Sequence, residues 1–185
     1  RGEEFDDTCV DRYKKNNSWM FWGSFAGVER GPCIFWVRDW ENMTSEKYAF
    51  RILPLEVDWN RTKSEEIGRQ VFFMHDNASV HKGRPAREYL HANGVESIPW
   101  PANSPGLNPI ENVWSMMKYY IQERYPEFEQ TRQRNREEVC SIVLEAWYHS
   151  TTVEKLSSLM ESMSRRCQEV IGADGGPIPY YSGTR

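Results

Sequence analysis

The chain has 185 residues, of which 39% are hydrophobic and 27% charged, and its formal net charge is −4. This length and composition predict a single domain with one sizeable core. There is no apolar run of about 18 residues and no signal-like start, which argues against a membrane-spanning or secreted protein. The negative charge argues against a protein that binds nucleic acid through bulk positive charge, although local basic patches remain open.

The four cysteines, Cys9, Cys33, Cys140 and Cys167, show no CxxC spacing. This pattern fits neither a zinc knuckle nor a disulfide scaffold, and it indicates a reducing compartment. The chain begins at Arg1 rather than at a methionine, as a fragment would.

The first elements along the chain predict a hairpin followed by a helix. Two aromatic runs, residues 18–27 and 31–40, are separated by a glycine-containing turn, which is typical of a β-hairpin. Residues 43–55 then show helical periodicity, with Thr44 or Ser45 as the expected N-cap.

A β-α-β alternation follows. Residues 58–69 are polar and are expected to form a loop. The apolar run 70–76 predicts a strand buried on both faces. Residues 82–94 predict a helix that stops at Asn93-Gly94, and 95–100 predict a second brief strand. This order implies a layered α/β core with some parallel pairing.

The remainder of the chain is predicted to be helical. Residues 136–150 and 153–172 both show helical spacing of apolar side chains, and the tail 173–185 is expected to be extended. The positions expected to be buried are Val139, Ile142, Val143, Ala146, Trp147, Val153, Leu156, Met160, Met163, Cys167 and Val170. The whole chain is thus expected to be one domain, with an α/β core over 18–126 and C-terminal helices over 134–172.

A glutamate lies at the predicted start of another helix. Asn108 is the expected N-cap, Pro109 the first helical residue and Glu111 the third, a sequence that resembles a capping box. An apolar stripe follows at Ile110, Val113, Trp114 and Met117. Taken alone, this pattern gives Glu111 a structural interpretation.

An aspartate ends the first predicted strand of the β-α-β unit. Asp76 would commonly start a turn, but functional groups of α/β proteins collect at the carboxyl ends of strands. If the two strands are neighbours, Asp76 and Glu111 converge at one edge of the sheet, with 34 residues between them. Carboxylates on rigid elements suit Mg²⁺, and paired ions support phosphoryl transfer. His75 and His81 share no helix face, so packing or hydrogen bonding is favoured over a metal role.

Two stretches carry a resemblance to a known family. Residues 74–81, MHDNASVH, and 94–114, GVESIPWPANSPGLNPIENVW, resemble the second and third acidic motifs of mariner-type transposases. The spacing between the acids is also the family's usual one. Weaker similarity at 18–27, at 45–54 and in the tail extends the resemblance over nearly the whole chain. Gly106 departs from it, because many members carry aspartate there, and this weakens a local loop contact.

The resemblance implies an α/β fold with a ribonuclease-H-like mixed sheet flanked by helices and a helical C-terminal part. It also implies that Asp76 and Glu111 are two of three catalytic acids that bind Mg²⁺, with Mn²⁺ as a substitute. Asn77 and His81 would order the loop of the first motif. Three further residues would orient the helix that carries Glu111: Asn108, Pro109 and Asn112.

The third acid of such enzymes lies on the first, central strand of the sheet. The resemblance places that strand upstream of Arg1, so the chain is expected to be an N-terminally truncated DDE catalytic domain. Four aspartates are weak candidates to replace the missing acid: Asp6, Asp7, Asp11 and Asp39. Without the first strand, a slot with unpaired backbone groups is expected between the hairpin and the strand at 70–76.

By resemblance, the function is Mg²⁺-dependent DNA cleavage at a transposon end, followed by attack of the freed 3′-hydroxyl on target DNA. The implied partners are transposon-end and target DNA, the implied location is the nucleus, and a homodimer is left open. Lys82, Arg84 and Arg87 are candidates for phosphate contacts, with an ordinary solvated helix face as the alternative. The same alternatives apply to Arg132, Arg134 and Arg136.

Two other functions remain open. A transposase relic, or a domesticated protein that binds DNA or protein without catalysis, would also retain this sequence pattern. A ribonuclease-H-like nuclease outside transposition is the third hypothesis, which the mariner-like motifs disfavour. No helix-turn-helix pattern is found, so sequence-specific binding to transposon ends is not expected from these residues.

Overall fold

The computed structural model describes residues 20–36, 40–102, 104–128 and 135–175. The strands are β1 (Met20–Ala26) and β2 (Glu29–Trp36). The helices are α1 (Ser45–Arg51), α2 (Leu53–Ile67), α3 (Ser79–Lys82), α4 (Arg84–Ala92), α5 (Pro109–Arg124), α6 (Arg136–Ser150) and α7 (Val153–Gly172), with a 3-10 turn at Pro105–Leu107. The predictions for several positions lie outside the described residues: Asp6, Asp7, Asp11, Asp39, Arg132, Arg134 and most of the tail.

The predicted hairpin is confirmed. β1 and β2 pair antiparallel, with Phe21 opposite Phe35. The connecting turn is shorter than expected, because β2 begins at Glu29. Gly27 has a φ of 57°, a left-handed conformation that costs glycine little. The hairpin therefore closes through a tight turn.

The predicted parallel pairing is confirmed, but only as a single bridge between Phe73 and Ser97. The Phe73 N–H donates to Glu96 O, and the Ile98 N–H donates to Phe73 O, both at 2.8 Å. The prediction of a strand buried on both faces is wrong, because Phe72 is 53% exposed while Phe73 is buried. Among the described residues, the pairing does not extend beyond this bridge.

The loop predicted over residues 58–69 is wrong, because α2 continues to Ile67. Its buried positions are Leu53, Glu56, Val57 and Asn60, which follow the i, i+3, i+4, i+7 spacing of a helix face. Since two of the four are polar, the hydropathy pattern alone conceals the helix. The predicted helix 43–55 is instead two helices, α1 with Thr44 as its N-cap and then α2.

The helices form two hydrophobic clusters. The first contains buried side chains of α1, α2 and α4 together with Phe73, and the second joins α5, α6 and α7 to β1. The predicted buried face of α7 is partly wrong: Val153, Met160 and Cys167 are exposed, whereas Leu159 and Arg166 are buried. The spacing of apolar side chains in α7 does not predict that Arg166 is buried.

Candidate active site

A cleft of about 400 Å³ separates β1 from the segment 71–76. It is lined by residues 22–27 of the hairpin, by Glu56 of α2, by residues 71–76, and by residues 108–111 at the start of α5. Among the described residues, β1 pairs only with β2, so its other edge faces this cleft.

Asp76 lies at the end of the segment 71–76, and its side chain is 52% exposed. Its Oδ1 accepts a hydrogen bond from the Ala78 N–H at 2.9 Å and lies 2.6 Å from His81 Nδ1. Both bonds fall on the same oxygen. Within the described residues, the second carboxylate oxygen, Oδ2, is thus available to another ligand.

Two neighbouring side chains hold the loop that follows Asp76. Asn77 Nδ2 donates to Trp100 O at 2.7 Å, which ties the loop to the strand-like segment after Ser97. The His81 ring packs on Tyr48 with the ring centroids 4.6 Å apart. His81 therefore fixes the side chain of Asp76, and the Tyr48 ring holds His81 in place.

His75 faces the same cleft but offers a different chemistry. Its ring stacks on His81 with centroids 5.0 Å apart, and its Nδ1 is buried without a hydrogen-bond partner in the described part of the chain. Burial lowers the pKa of His75 to about 4, so the imidazole is neutral at physiological pH. The described residues contain no group of three or more His, Cys, Asp or Glu side chains arranged to hold a metal ion.

Glu111 lies in the first turn of α5 and lines the cleft, as Asp76 does. The predicted capping box is wrong, because the Asn108 side chain makes no capping hydrogen bond. The Asn108 N–H is already bound to Pro105 O at 3.0 Å, so a capping glutamate has no donor to reach. Glu111 consequently makes no side-chain hydrogen bond or ion pair with another described residue.

A side chain of α7 bonds to residues that lie close to Glu111. Asn112 is fully buried, and its Oδ1 accepts a 2.7 Å hydrogen bond from Nη1 of Arg166. The same nitrogen donates to the carbonyl oxygen of Gly106 at 3.1 Å. The contact at Gly106 is made by the backbone, so it does not require an acidic side chain at that position. Sequence reasoning missed Arg166.

The basic candidates lie on the surface. Lys82, Arg84 and Arg87 are exposed, and none of them lines the cleft. Arg84 Nε donates to Glu88 Oε1 at 2.7 Å, an ordinary i, i+4 pair on a solvated helix. Arg136 is likewise exposed, at the start of α6.

Glu56 is a functional candidate that sequence reasoning missed. It is 3% exposed, it lines the cleft, and its Oε2 has no hydrogen-bond partner among the described residues. Burial raises the pKa of this carboxyl to about 7, an effect partly offset by a hydrogen bond with Ser24. The buried-face spacing of α2 is the signal that could have located it.

We expect Glu56→Gln to remove a pH dependence of stability. The folded state retains this proton up to about pH 7, whereas an ordinary glutamate loses it near 4.5. The proton on Glu56 therefore makes its full contribution to the free energy of unfolding below about pH 4.5. This contribution, about 3 kcal/mol, is lost as the pH rises through 7. Urea unfolding from pH 4 to 8 should show the variant gaining stability relative to the original protein over that window.

The difference between the two proteins is the quantity to measure, because His75 contributes a slope of opposite sign. Its lowered pKa makes the folded state gain stability as pH rises through the range 4 to 6.5. That contribution is common to both proteins and cancels in the difference. A difference that does not change with pH would show that Glu56 is ionised in the folded state.

Residues 43–132 match the family described as DDE superfamily endonuclease. This stretch contains both Asp76 and Glu111 and most of the cleft-lining segments that follow the hairpin. Over this stretch the chain is similar to the DDE superfamily endonucleases.

The curated proteins that this chain resembles include transposases. It is 30% identical over 164 residues to the Tc3 transposase of Caenorhabditis elegans, covering 87% of this chain and 45% of the relative. It is also 30% identical over 161 residues to the Tcb1 transposase of Caenorhabditis briggsae, covering 87% and 54%. The chain thus spans about half the length of the curated relatives it matches.

Solved structures identify the fold. The catalytic domain of Mos1 transposase, solved with Mg, matches with a TM-score of 0.56 at 18% identity, covering 93% of this chain and 92% of that one. The Mos1 strand transfer complex matches with a TM-score of 0.61 at 19% identity, covering 86% and 44%. Mos1 is a mariner transposase of Drosophila mauritiana. The expected ribonuclease-H-like α/β fold is thereby confirmed, and no described helix is both long and apolar enough to cross a membrane.

Proposed function

We propose that this chain supplies metal-binding acids for DNA strand cleavage and transfer in transposition, with Asp76 and Glu111 as the ligands. One observation carries the proposal: both carboxylates line the same cleft, Asp76 after the segment that forms the parallel bridge and Glu111 in the first turn of α5. Each has an oxygen that no other described residue occupies.

The donor set fits a hard divalent cation. Mg²⁺ is typically held by one or two carboxylates and completes its coordination with water and substrate phosphate oxygens. When bound, such an ion would supply charge stabilisation to a phosphodiester under attack. The chain's own contribution is to hold Asp76 through His81 and Ala78, and to hold Glu111 at the start of α5.

The proposed substrate is transposon-end and target DNA, and the proposed location is the nucleus. The relatives are named as transposable-element transposases, and Mos1 has been solved as a paired-end complex with a left transposon end. A paired arrangement of two copies on DNA is proposed by analogy with that complex. Exposed Lys82 and Arg87 are proposed as phosphate contacts, since neither has an acidic partner in the described residues.

A second candidate is a catalytically inactive relative that retains the fold for DNA or protein contact. One observation favours it: among the described residues, no third ligand joins Asp76 and Glu111. Divalent-metal binding without strand cleavage, in the longest polypeptide that contains this chain, would support this candidate over the enzyme.

We expect the chain to bind Mn²⁺ with a dissociation constant no tighter than about 1 mM, because two carboxylates make a poor cage. Paramagnetic line broadening in NMR spectra measures affinities in this range. Asp76→Asn and Glu111→Gln should each weaken the binding, whereas Asp58→Asn, a control on an exposed carboxylate of α2, should not. Micromolar affinity, or affinity unchanged by both variants, would contradict the proposed site.

A further inference from the structure

We propose that Arg166 is a positioning residue for the metal site, and that it sets the direction in which Glu111 points. The inference rests on the proposed function, because it concerns how the Glu111 carboxylate is aimed. Arg166 lies on α7, 55 residues from Glu111 along the sequence, and it does not line the cleft.

The guanidinium of Arg166 links two segments at the start of α5. It is 2% exposed, and its Nη1 donates both to Asn112 Oδ1 and to the carbonyl of Gly106. Gly106 lies in the 3-10 turn before α5, whereas Asn112 lies in the first turn of the helix itself. One nitrogen therefore fixes the turn and the helix relative to each other.

A buried guanidinium holds its partners in a narrow range of geometries. Arginine is rarely buried unless it is paired, and its planar group presents donors at fixed angles. Asn112, itself 1% exposed, cannot exchange this bond for one to water. Breaking the bond would remove a charged donor from the buried Asn112 Oδ1, which is costly. The link is thus stiff on the side of α5 that faces α7.

Fixing Asn112 also fixes Glu111. Adjacent helix residues point about 100° apart, so Asn112 can face α7 while Glu111 faces the cleft. The bond at Asn112 prevents the start of α5 from rotating about the helix axis, and this fixes the direction in which the Glu111 side chain points. Because the bond to Gly106 also fixes the preceding turn, the first turn of α5 is held along the helix axis as well. Partners hydrogen-bonded directly to a metal ligand typically change metal affinity by about 10- to 100-fold when they are removed, and we expect Arg166, which acts through the neighbouring residue, to lie at the lower end of that range.

A purely structural role makes a different prediction. If Arg166 only stabilises the packing of α7 against α5, its replacement would lower the melting temperature but leave the metal affinity of the folded protein unchanged. A positioning role lowers the affinity, and it does so only when Glu111 is present to be aimed. Metal affinity with and without Glu111 therefore separates the two roles.

The test is a Mn²⁺ titration of the full chain, followed by paramagnetic broadening, in Arg166→Met and in the same variant carrying Glu111→Gln. The matched control is Arg165→Met, since the neighbouring Arg165 is on the surface and pairs with Glu169 at 3.0 Å. We expect Arg166→Met to raise the dissociation constant about tenfold, Arg165→Met to leave it unchanged, and Arg166→Met to have no further effect in the Glu111→Gln protein.

Arg166→Lys decides the matter if Arg166→Met does not fold. Lysine keeps the charge but loses the planar fork, so an intermediate rise in the dissociation constant is expected. An unchanged constant in the folded variant would overturn the positioning role. If Glu111→Gln alone leaves the constant unchanged, the proposed metal site fails instead, so the two failures are distinguishable.

Discussion

Asp76→Ala and Glu111→Ala should each lower Mg²⁺- or Mn²⁺-dependent DNA strand cleavage by roughly a thousandfold or more. Charge stabilisation by a bound metal ion is worth several kcal/mol, and each 1.36 kcal/mol corresponds to a factor of ten in rate. The assay uses the longest polypeptide that contains this chain and a DNA bearing its transposon end. Loss of one ligand should suffice, since the remaining carboxylate cannot hold the ion in the cleft.

The two substitutions should leave the fold largely intact. Asp76 is half-exposed, and the Glu111 carboxylate has no partner among the described residues. We expect changes in the free energy of unfolding of about 1 kcal/mol or less for either variant. Asp58→Ala, which removes an exposed carboxylate of α2 paired with Arg61, is the control and should retain activity. A folded variant at position 76 or 111 that still cleaves would refute the assignment.

Trp147→Ala should cost about 3–5 kcal/mol of folding stability, the largest structural effect that we expect. The indole is 1% exposed and fills the middle of the second hydrophobic cluster. It stacks on Trp114 at a centroid distance of 5.7 Å and meets Phe21 edge-on at 5.6 Å. A Cβ at Gly23 would lie 2.8 Å from this ring, which explains why β1 carries a glycine where the indole approaches.

Removal of the indole should also disturb the cleft, because Trp147 packs against two of the elements that line it. Phe21 and Gly23 belong to β1, and Trp114 belongs to α5, the helix that carries Glu111. Urea unfolding followed by circular dichroism measures the stability. Tyr148→Ala is the matched control: this neighbour is exposed and lies under Arg30, so its loss should cost about 1 kcal/mol or less. A cost below about 1.5 kcal/mol for Trp147→Ala would contradict the packing described here.

The elements with regular apolar patterns could be predicted from the sequence. The hairpin and α6, with its N-cap Asn135 and its buried Val139 and Ile142, follow from spacing and capping residues. The start of α5 follows from the preference of proline for the first helical position, which Pro109 occupies. The arrangement of Asp76 and Glu111 on one cleft also followed from the order of the elements. In each case the local residue preferences and the tertiary packing favour the same structure.

The elements that were missed are those in which a polar side chain occupies a buried position. Residues 58–67 of α2 are predicted as a loop because they are mostly polar, even at Asn60 on the buried face of the helix. The buried face of α7 was misplaced because Arg166 lies in it. Glu56 and Asn60 line the cleft, whereas Arg166 bonds to Asn112 at the start of α5. Hydropathy alone does not separate such buried polar positions from exposed ones.

The capping box failed for a different reason. The pattern from Asn108 to Glu111 is correct for a cap, but the backbone N–H of Asn108 is used by the 3-10 turn before the helix. A local pattern does not report such competition from the preceding turn. The Glu111 carboxylate, which does not cap the helix, lines the cleft instead.

The most direct test of the central claim is an anomalous difference map from crystals of this chain soaked in Mn²⁺. The claim is that Asp76 and Glu111 bind the same divalent cation. It predicts one peak in the cleft between β1 and the segment 71–76, roughly 2.0–2.6 Å from a carboxylate oxygen of each residue. A peak bound to only one of the two, or carboxylates too far apart to share an ion, would contradict it.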